Sequence, residues 1–182
     1  MAEAETYDFI VVGAGSAGCV LADRLSASGK HRVLLVEAGG EDRHLWIHIP
    51  IGYGKLFTDA RVNWLFQSAP EPELNNRPIM QPRGKVLGGC SSINGLLYVR
   101  GQRQDFDLWR QLGNVGWSYE DVLPYFKKSE AQCRGSDEFH GAEGPLSVAD
   151  QVEPHEVCEA FIRACEQSRK SENSPPSNGM QS

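Results

Sequence analysis

Residues 84–101, GKVLGGCSSINGLLYVRG, combine glycine, hydroxyl and amide groups in a mixture that suits close contact with a bulky polar ligand. Gly88 and Gly89 lack side chains, so their N–H groups can come within hydrogen-bonding distance of an anionic or carbonyl-bearing partner. Ser91, Ser92 and Asn94 add groups able to orient it. The same residues also suit a glycine turn ahead of a buried strand at 96–99, with the serines capping and Asn94 closing an Asx turn. On their own they leave both readings open.

A second glycine cluster tips the balance. Residues 7–12 form a short apolar run bounded by acidic residues and glycine, the pattern of a buried parallel strand. Gly13-Ala14-Gly15-Ser16-Ala17-Gly18 follows at once. Ala17, Val20, Leu21 and Leu25 then recur at helical spacing, predicting an amphipathic helix that ends near Ser28 with Gly29 as its left-handed cap. Residues 32–36 give a second apolar strand. The unit is strand, G-x-G-x-x-G, helix, strand, and it closes on Glu37, about 20 residues beyond Gly18. Gly13 permits the tight turn, Gly15 lets backbone approach a pyrophosphate at the helix N-terminus, and Gly18 lets helix and strand pack closely. A carboxylate at Glu37 accepts hydrogen bonds from ribose hydroxyls and repels a 2′-phosphate, so the ligand is FAD or NAD rather than NADP.

The elements that hold these motifs belong to an ordinary globular composition. The 182 residues suffice for one domain, or one with a partial second; 40% are hydrophobic and 23% charged. Net charge is −6, from 18 basic and 24 acidic residues, and the basic ones are scattered, which argues against nucleic acid as a partner. The N-terminus is acidic and lacks the basic flank of a secretory signal, and no apolar run approaches a membrane span. Five cysteines in no C-x-x-C pair fit free thiols in a reducing compartment. His44 and His48 share helical spacing, but no acidic or cysteine grouping supports a metal site.

Together the two segments resemble the glucose–methanol–choline (GMC) oxidoreductases, FAD-dependent alcohol dehydrogenases and oxidases. Gly84, Lys85, Gly88, Gly89, Ser91, Ser92, Asn94 and Arg100 fall on the family's second signature, with Cys90 where serine is commoner and Leu96 where methionine or phenylalanine is usual. Asn63-Trp64, Arg77, Pro82-Arg83, Asp105-Phe106-Asp107 with Trp109, Gly116-Trp117, Leu123-Pro124-Tyr125-Phe126, and His140-Gly141 with Gly144-Pro145 are similar to the choline-dehydrogenase and alkanol-dehydrogenase branch. The likeness runs from Tyr7 to Gln167.

The resemblance implies an α/β fold, a Rossmann-type FAD-binding βαβ unit with loop and helix excursions, incomplete relative to the full family fold. It implies FAD contacts at Gly13, Gly15, Ser16, Gly18, Glu37 and Ala38 in the first segment. In the second it implies them at Arg83, Val86, Gly88, Gly89, Ser91, Asn94, Gly95 and Leu96. Some members attach FAD through a histidine; the matching position is Ile93, so the resemblance implies non-covalent flavin. Family enzymes are much longer, with the catalytic histidine far downstream, so no catalytic residue is assigned here and the chain reads as an incomplete reading of a longer gene, weak or inactive alone. The expected substrate of the full enzyme is a small alcohol, and the expected location is the cytoplasm, with peripheral membrane association left open.

Elsewhere, residues 41–82 read as loops and short helices over the cofactor, with Trp46 and Trp64 as buried aromatics. Trp64 is either core or a stacking partner for flavin or adenine. Arg83 and Lys85 either place charge near the pyrophosphate or flavin or form a solvated basic turn. Arg100 is expected to close a salt bridge at the end of its strand, and His140 to shape a loop. Helices are expected at 104–112 and 118–129, the latter with a Ser118–Asp121 capping box, and another opening with Pro154 in its first turn. Residues 1–167 are expected to be the FAD-binding part and 168–182, rich in serine and proline, an unstructured tail. Two other readings remain: an NAD-binding dehydrogenase domain, and a non-catalytic nucleotide-binding or interaction module.

Overall fold

The computed structural model describes residues 5–172. They form two compact units, one ending at Tyr98 and the other starting at Val99. The first is built on the βαβ unit predicted above. Strand β1 (Phe9–Val12) leads through the first glycine turn into helix α1 (Ser16–Ser26), and β2 (Val33–Val36) returns parallel to β1, pairing Phe9 with Val33 and Val12 with Val36. The helix closes at Ala27, and Gly29, at φ +68°, makes the left-handed turn expected of it.

The excursion that follows contains 3₁₀ turns at Leu45–Ile47 and Pro50–Gly52, a short helix α2 (Tyr53–Leu56), and a third 3₁₀ turn at Pro72–Leu74. Strands β3 (Phe66–Gln67) and β4 (Met80–Gln81) pair antiparallel. The buried core of this unit is small: Leu56, Val62, Val86 and Ile93, with Trp46 and Ile47 packed against it.

Three expectations about burial are corrected. Strand β1 is parallel as predicted, but Ile10 and Val12 are exposed, so one two-stranded layer leaves most of its apolar face open. Trp64 is exposed rather than buried, at 43% of its full surface. Residues 96–99 form no strand and are exposed throughout; Leu96 sits at φ +60°, which breaks the extended run at its first residue.

In the second unit, helix α3 (Arg103–Gln111) and helix α4 (Tyr119–Ser129) lie side by side around an aromatic cluster in which Phe106 touches Trp109, Tyr119 and Phe126. The predicted capping box is present, with Ser118 Oγ accepting from the Asp121 N–H and Asp121 accepting from the Ser118 N–H. Strand β5 (Glu130–Gln132) pairs in parallel with β6 (Leu146–Val148). Glu130 is fully buried and pairs with Arg100, as expected of that arginine, though no strand precedes it; the Gly141 N–H also donates to this carboxylate. Gly141 is required there, since a Cβ would lie 1.9 Å from the Lys127 carbonyl oxygen. His140 shapes its loop through Asp137. Helix α5 (Glu156–Glu172) starts two residues after Pro154, so proline is outside the first turn; His155 accepts from the Val157 N–H through Nδ1 instead. The helix carries into the segment expected to be a tail, and residues 173–182 lie outside the described residues.

Candidate functional site: a cleft between two glycine turns

The first turn is set by β1 and β2. The Gly13 N–H donates to the Val36 carbonyl at 2.7 Å, and Gly13 adopts φ +94°, a conformation that favours glycine. A Cβ on Gly18 would stand 1.9 Å from the Gly13 oxygen, so the helix starts this close to the loop only because residue 18 is glycine. Gly15 caps α1 with extended backbone, and nothing lies within 4 Å of where its Cβ would stand. That open face is a cradle in which backbone can meet a phosphate. Glu37 ties the turn to β2: its carboxylate accepts from the Ala14 N–H at 2.8 Å and the Gly39 N–H at 2.9 Å. A carboxylate offers about four lone-pair sites, so acceptor capacity remains for ribose hydroxyls.

The second turn docks on the first. Gly88 (φ +90°) donates its N–H to the Ala14 carbonyl at 2.8 Å, and Ser16 and Ser91 share a hydroxyl–hydroxyl hydrogen bond. Gly89 (φ +56°) packs so tightly that an added Cβ would lie 2.7 Å from the Gly15 Cα. Gly84 is equally confined, by the Gly89 carbonyl. Ser92 Oγ donates to the Leu87 carbonyl, while Asn94 Oδ1 accepts from the Leu96 N–H at 3.0 Å and closes an Asx turn. The turn reading and the ligand reading are therefore compatible: local hydrogen bonds shape a segment whose glycines press against the other motif.

A third element completes the wall. Asn63, 2% exposed, donates to the Phe57 carbonyl and accepts from the Leu65 and Arg83 N–H groups, which fixes the residues on either side of Trp64. The rings of Trp64 and Phe66 stack with centroids 5.7 Å apart and planes 6° from parallel, and Lys85 Nζ lies 4.7 Å from the Trp64 centroid. Lys85 thus binds an aromatic face, whereas the Arg83 guanidinium donates to the Pro82 carbonyl.

These elements enclose an open cleft of about 440 Å³. Of the residues predicted from sequence, Gly13, Gly15, Glu37, Ala38, Arg83 and Gly89 line it. Ser91, Asn94 and Leu96 line a neighbouring recess of about 150 Å³ with Asp42, His48 and Tyr53. Gly18, Gly88 and Ser16 act on the shape of the turns. The Val86 side chain is core, and Gly95 lies beside the Tyr53 ring. Phe66, Cys90, Val12 and Val36 also line the large cleft. Sequence reasoning passed over Phe66; the alternation of Trp64 and Phe66 around Leu65 was the available signal.

The cleft walls carry one carboxylate, Glu37, and one guanidinium, Arg83, and none of the first unit's three histidines, His31, His44 and His48, lines it. Such a surface can hold a dinucleotide through backbone, carboxylate and aromatic contacts, but it brings no nucleophile–base pair together. The two histidines at helical spacing serve local structure. His44 Nδ1 accepts from the Trp46 N–H and its Nε2 faces Asp59, while His48 bonds the Asp42 carbonyl. The Arg61 side chain, and then its backbone N–H, hold the Asp59 carboxyl well below the usual carboxylate range. Among the described residues no cluster of three or more His, Cys, Asp or Glu is placed to hold a metal, and no helix is long and apolar enough to cross a membrane.

The family model described as GMC oxidoreductase matches residues 7–178. An oxygen-dependent choline dehydrogenase of Photobacterium profundum is 48% identical over 164 residues, covering 89% of this chain and 29% of that protein. One from Vibrio vulnificus is 49% identical over 160 residues, covering 87% and 29%. Among solved structures, pyridoxine 4-oxidase from Mesorbium loti superposes with a TM-score of 0.79 at 34% identity, over 89% of this chain and 32% of that one. An FAD-dependent oxidoreductase from Chaetomium thermophilum gives 0.73 at 31%, over 89% and 29%. The chain thus spans about 29% of the length of the curated relatives it matches. With both glycine motifs docked on one cleft and the family match running through nearly all of the chain, the protein belongs to the GMC oxidoreductases.

Proposed function

We propose that the chain is the FAD-binding N-terminal portion of an alcohol oxidoreductase, with FAD held non-covalently between the two glycine turns. The observation that carries this reading is the packing of Gly89 against Gly15, which closes the second glycine segment onto a pyrophosphate cradle. An NAD domain has no need of that second segment. When bound, FAD supplies the hydride-accepting ring for oxidation of a CH–OH donor. In this reading the α1 N-terminus and Gly15 meet the pyrophosphate, Glu37 holds the adenosine ribose, and residues 88–96 face the flavin half. Ile93, where a histidine would be needed for covalent attachment, is 2% exposed in the core and offers no nucleophile.

The substrate class we propose is a small alcohol such as the choline of the relatives' names. Proton removal from that alcohol needs a base, and the cleft walls bring none beside Glu37, which already holds two backbone N–H groups. The 182 residues alone therefore bind flavin without turning over alcohol. Five free thiols suit a reducing compartment, and the cytoplasm is the location this reading assigns. The test is the visible spectrum and alcohol-oxidation rate of the purified chain. Bound flavin with no turnover of choline or a primary alcohol is the expected result; enzyme-like turnover, or no flavin after incubation with FAD, contradicts it.

A further inference from the structure

We propose that Asn94–Gly95 is a self-modifying site, where the Asn94 side chain cyclises onto the Gly95 nitrogen, loses ammonia and hydrolyses to aspartate or isoaspartate. The reaction needs an accessible side-chain amide, a neighbouring N–H that is not already engaged, and no side chain shielding that N–H. All three conditions meet here. Asn94 is exposed, and its Nδ2 has no partner among the described residues. The Gly95 N–H also donates to no group among the described residues, whereas the Asn94 N–H is held by the Cys90 carbonyl at 3.0 Å. Residue 95 carries no Cβ, and the atoms nearest to where one would stand are Tyr53 ring carbons at 3.8 and 4.0 Å.

The Asx turn favours the step itself. Because the Leu96 N–H donates to Asn94 Oδ1 at 3.0 Å, the side chain is folded back over the Gly95 peptide. Solvent base removes the Gly95 amide proton and the nitrogen attacks Asn94 Cγ. Negative charge then develops on Oδ1, the oxygen that the Leu96 N–H already faces at the distance of an oxyanion donor. The Cγ–Nδ2 bond breaks and ammonia leaves with a proton taken from water, which closes a five-membered succinimide. Water opens that ring at Cγ to give aspartate, or at the backbone carbonyl carbon to give isoaspartate. The net change is amide plus water to carboxylic acid plus ammonia, with nothing oxidised or reduced.

The conversion also weakens cofactor binding, a consequence that rests on the FAD reading above. Asn94 lines the smaller recess together with Asp42 and Ser91, and the Ser91 hydroxyl is bonded to Ser16 in the first glycine turn. A carboxylate at position 94 puts a second negative charge beside Asp42 and removes the amide's donor. Isoaspartate adds a methylene to the main chain between the docked glycines and the left-handed Leu96. Both changes oppose an anionic dinucleotide.

The test incubates the purified full chain at mildly alkaline pH and follows the peptides holding Asn94 and Asn178 by mass spectrometry. Asn178–Gly179 is a second Asn–Gly pair in the sequence, and incubation continues until it has converted. Asn94 should gain the amide-to-acid mass as both aspartate and isoaspartate. Gly95→Ala, whose methyl would meet only ordinary contacts, should lose that gain while keeping the one at Asn178. If this variant fails to fold, Asn94→Gln, whose longer side chain does not close the same ring, decides. Asn94→Asp, which fixes the charge of the product, should bind FAD about 2- to 10-fold more weakly than the wild type, the range for one lost hydrogen bond. Asn94 that keeps its amide after Asn178 has converted overturns the proposal, as does conversion undiminished in Gly95→Ala. Asn94→Asp that binds FAD like the wild type overturns the link to the cofactor. Wild-type chain that modifies Asn94 yet binds no FAD sinks the cofactor reading and leaves the modification site standing.

Discussion

Two alanine substitutions in the docked glycine turns should have opposite consequences, because the space beside the two glycines is opposite. At Gly89 the backbone is left-handed, φ +56°, which costs an L-residue about 1–2 kcal/mol. Its Cβ would stand 2.7 Å from the Gly15 Cα, about 1 Å inside an ordinary carbon–carbon contact, and both sides of the clash are backbone. Overpacking of that kind adds about 1–3 kcal/mol, so Gly89→Ala should cost roughly 2–5 kcal/mol. At 2–4 °C per kcal/mol, the melting temperature should fall by about 4–20 °C. At Gly15 the backbone is extended and no atom lies within 4 Å of the added methyl. Alanine is a poorer N-cap than glycine, but it stiffens the unfolded chain by about 0.4–1 kcal/mol, so the net change should stay within about 1 kcal/mol. The methyl would instead occupy the pyrophosphate cradle. Losing one charge-assisted hydrogen bond there costs about 1.5–3 kcal/mol, or roughly 10- to 150-fold in FAD affinity. Thermal melts without ligand and flavin-fluorescence titrations measure the two effects separately. Gly15→Ala that melts as low as Gly89→Ala, or that binds FAD like the wild type, refutes the reasoning.

Other perturbations address the remaining parts. Removing Arg100 with Arg100→Leu strands the fully buried Glu130 carboxylate, and chemical denaturation should show a loss of about 3–5 kcal/mol in the second unit. Asp137 titrates at about 2 instead of 3.8, first because of its bond to the His140 ring and then because the Phe139 N–H donates to it. A lowered carboxyl stabilises the fold above its ordinary value and loses that effect as pH falls through the lowered one. Protection factors of the Phe139 and His140 amides should therefore fall as the pH drops from 3.8 to about 2, and Asp137→Asn should remove that fall. Acid precipitation should release all bound flavin into the supernatant; flavin retained in the pellet contradicts non-covalent binding. Asn63→Ala leaves the Leu65 and Arg83 N–H groups without their acceptor, so it should cost about 1–3 kcal/mol and weaken FAD as well, read by melts and titration together.

What could be read along the chain was whatever sequence neighbours decide. The βαβ unit follows from short apolar runs, helical spacing from Ala17 to Leu25, and glycines at fixed offsets, and the Ser118–Asp121 box follows from two residues three apart. Arg100 as an ion-pair residue was legible, but its buried partner Glu130, 30 residues on, was not. The docking of Gly89 on Gly15, the reach of Asn63 to Arg83 and the stacking of Trp64 on Phe66 depend on how distant loops return to β2. Residues 96–99 show the converse failure. Their apolar run reads as a strand, but Asn94 and the left-handed Leu96 turn the backbone away from it. The second unit shows it at Pro154, whose type suits a first helical turn while His155 in fact supplies the cap.

The most direct test of the central claim is calorimetric titration of the purified, flavin-free chain with FAD, NAD⁺ and NADP⁺ in parallel, in the wild type and in Glu37→Ala. The cleft described above predicts one FAD per chain, bound more tightly than NAD⁺, with NADP⁺ weakest and FAD affinity reduced in the Glu37 variant. NAD⁺ binding more tightly than FAD, or FAD binding that does not respond to the loss of Glu37, would contradict it.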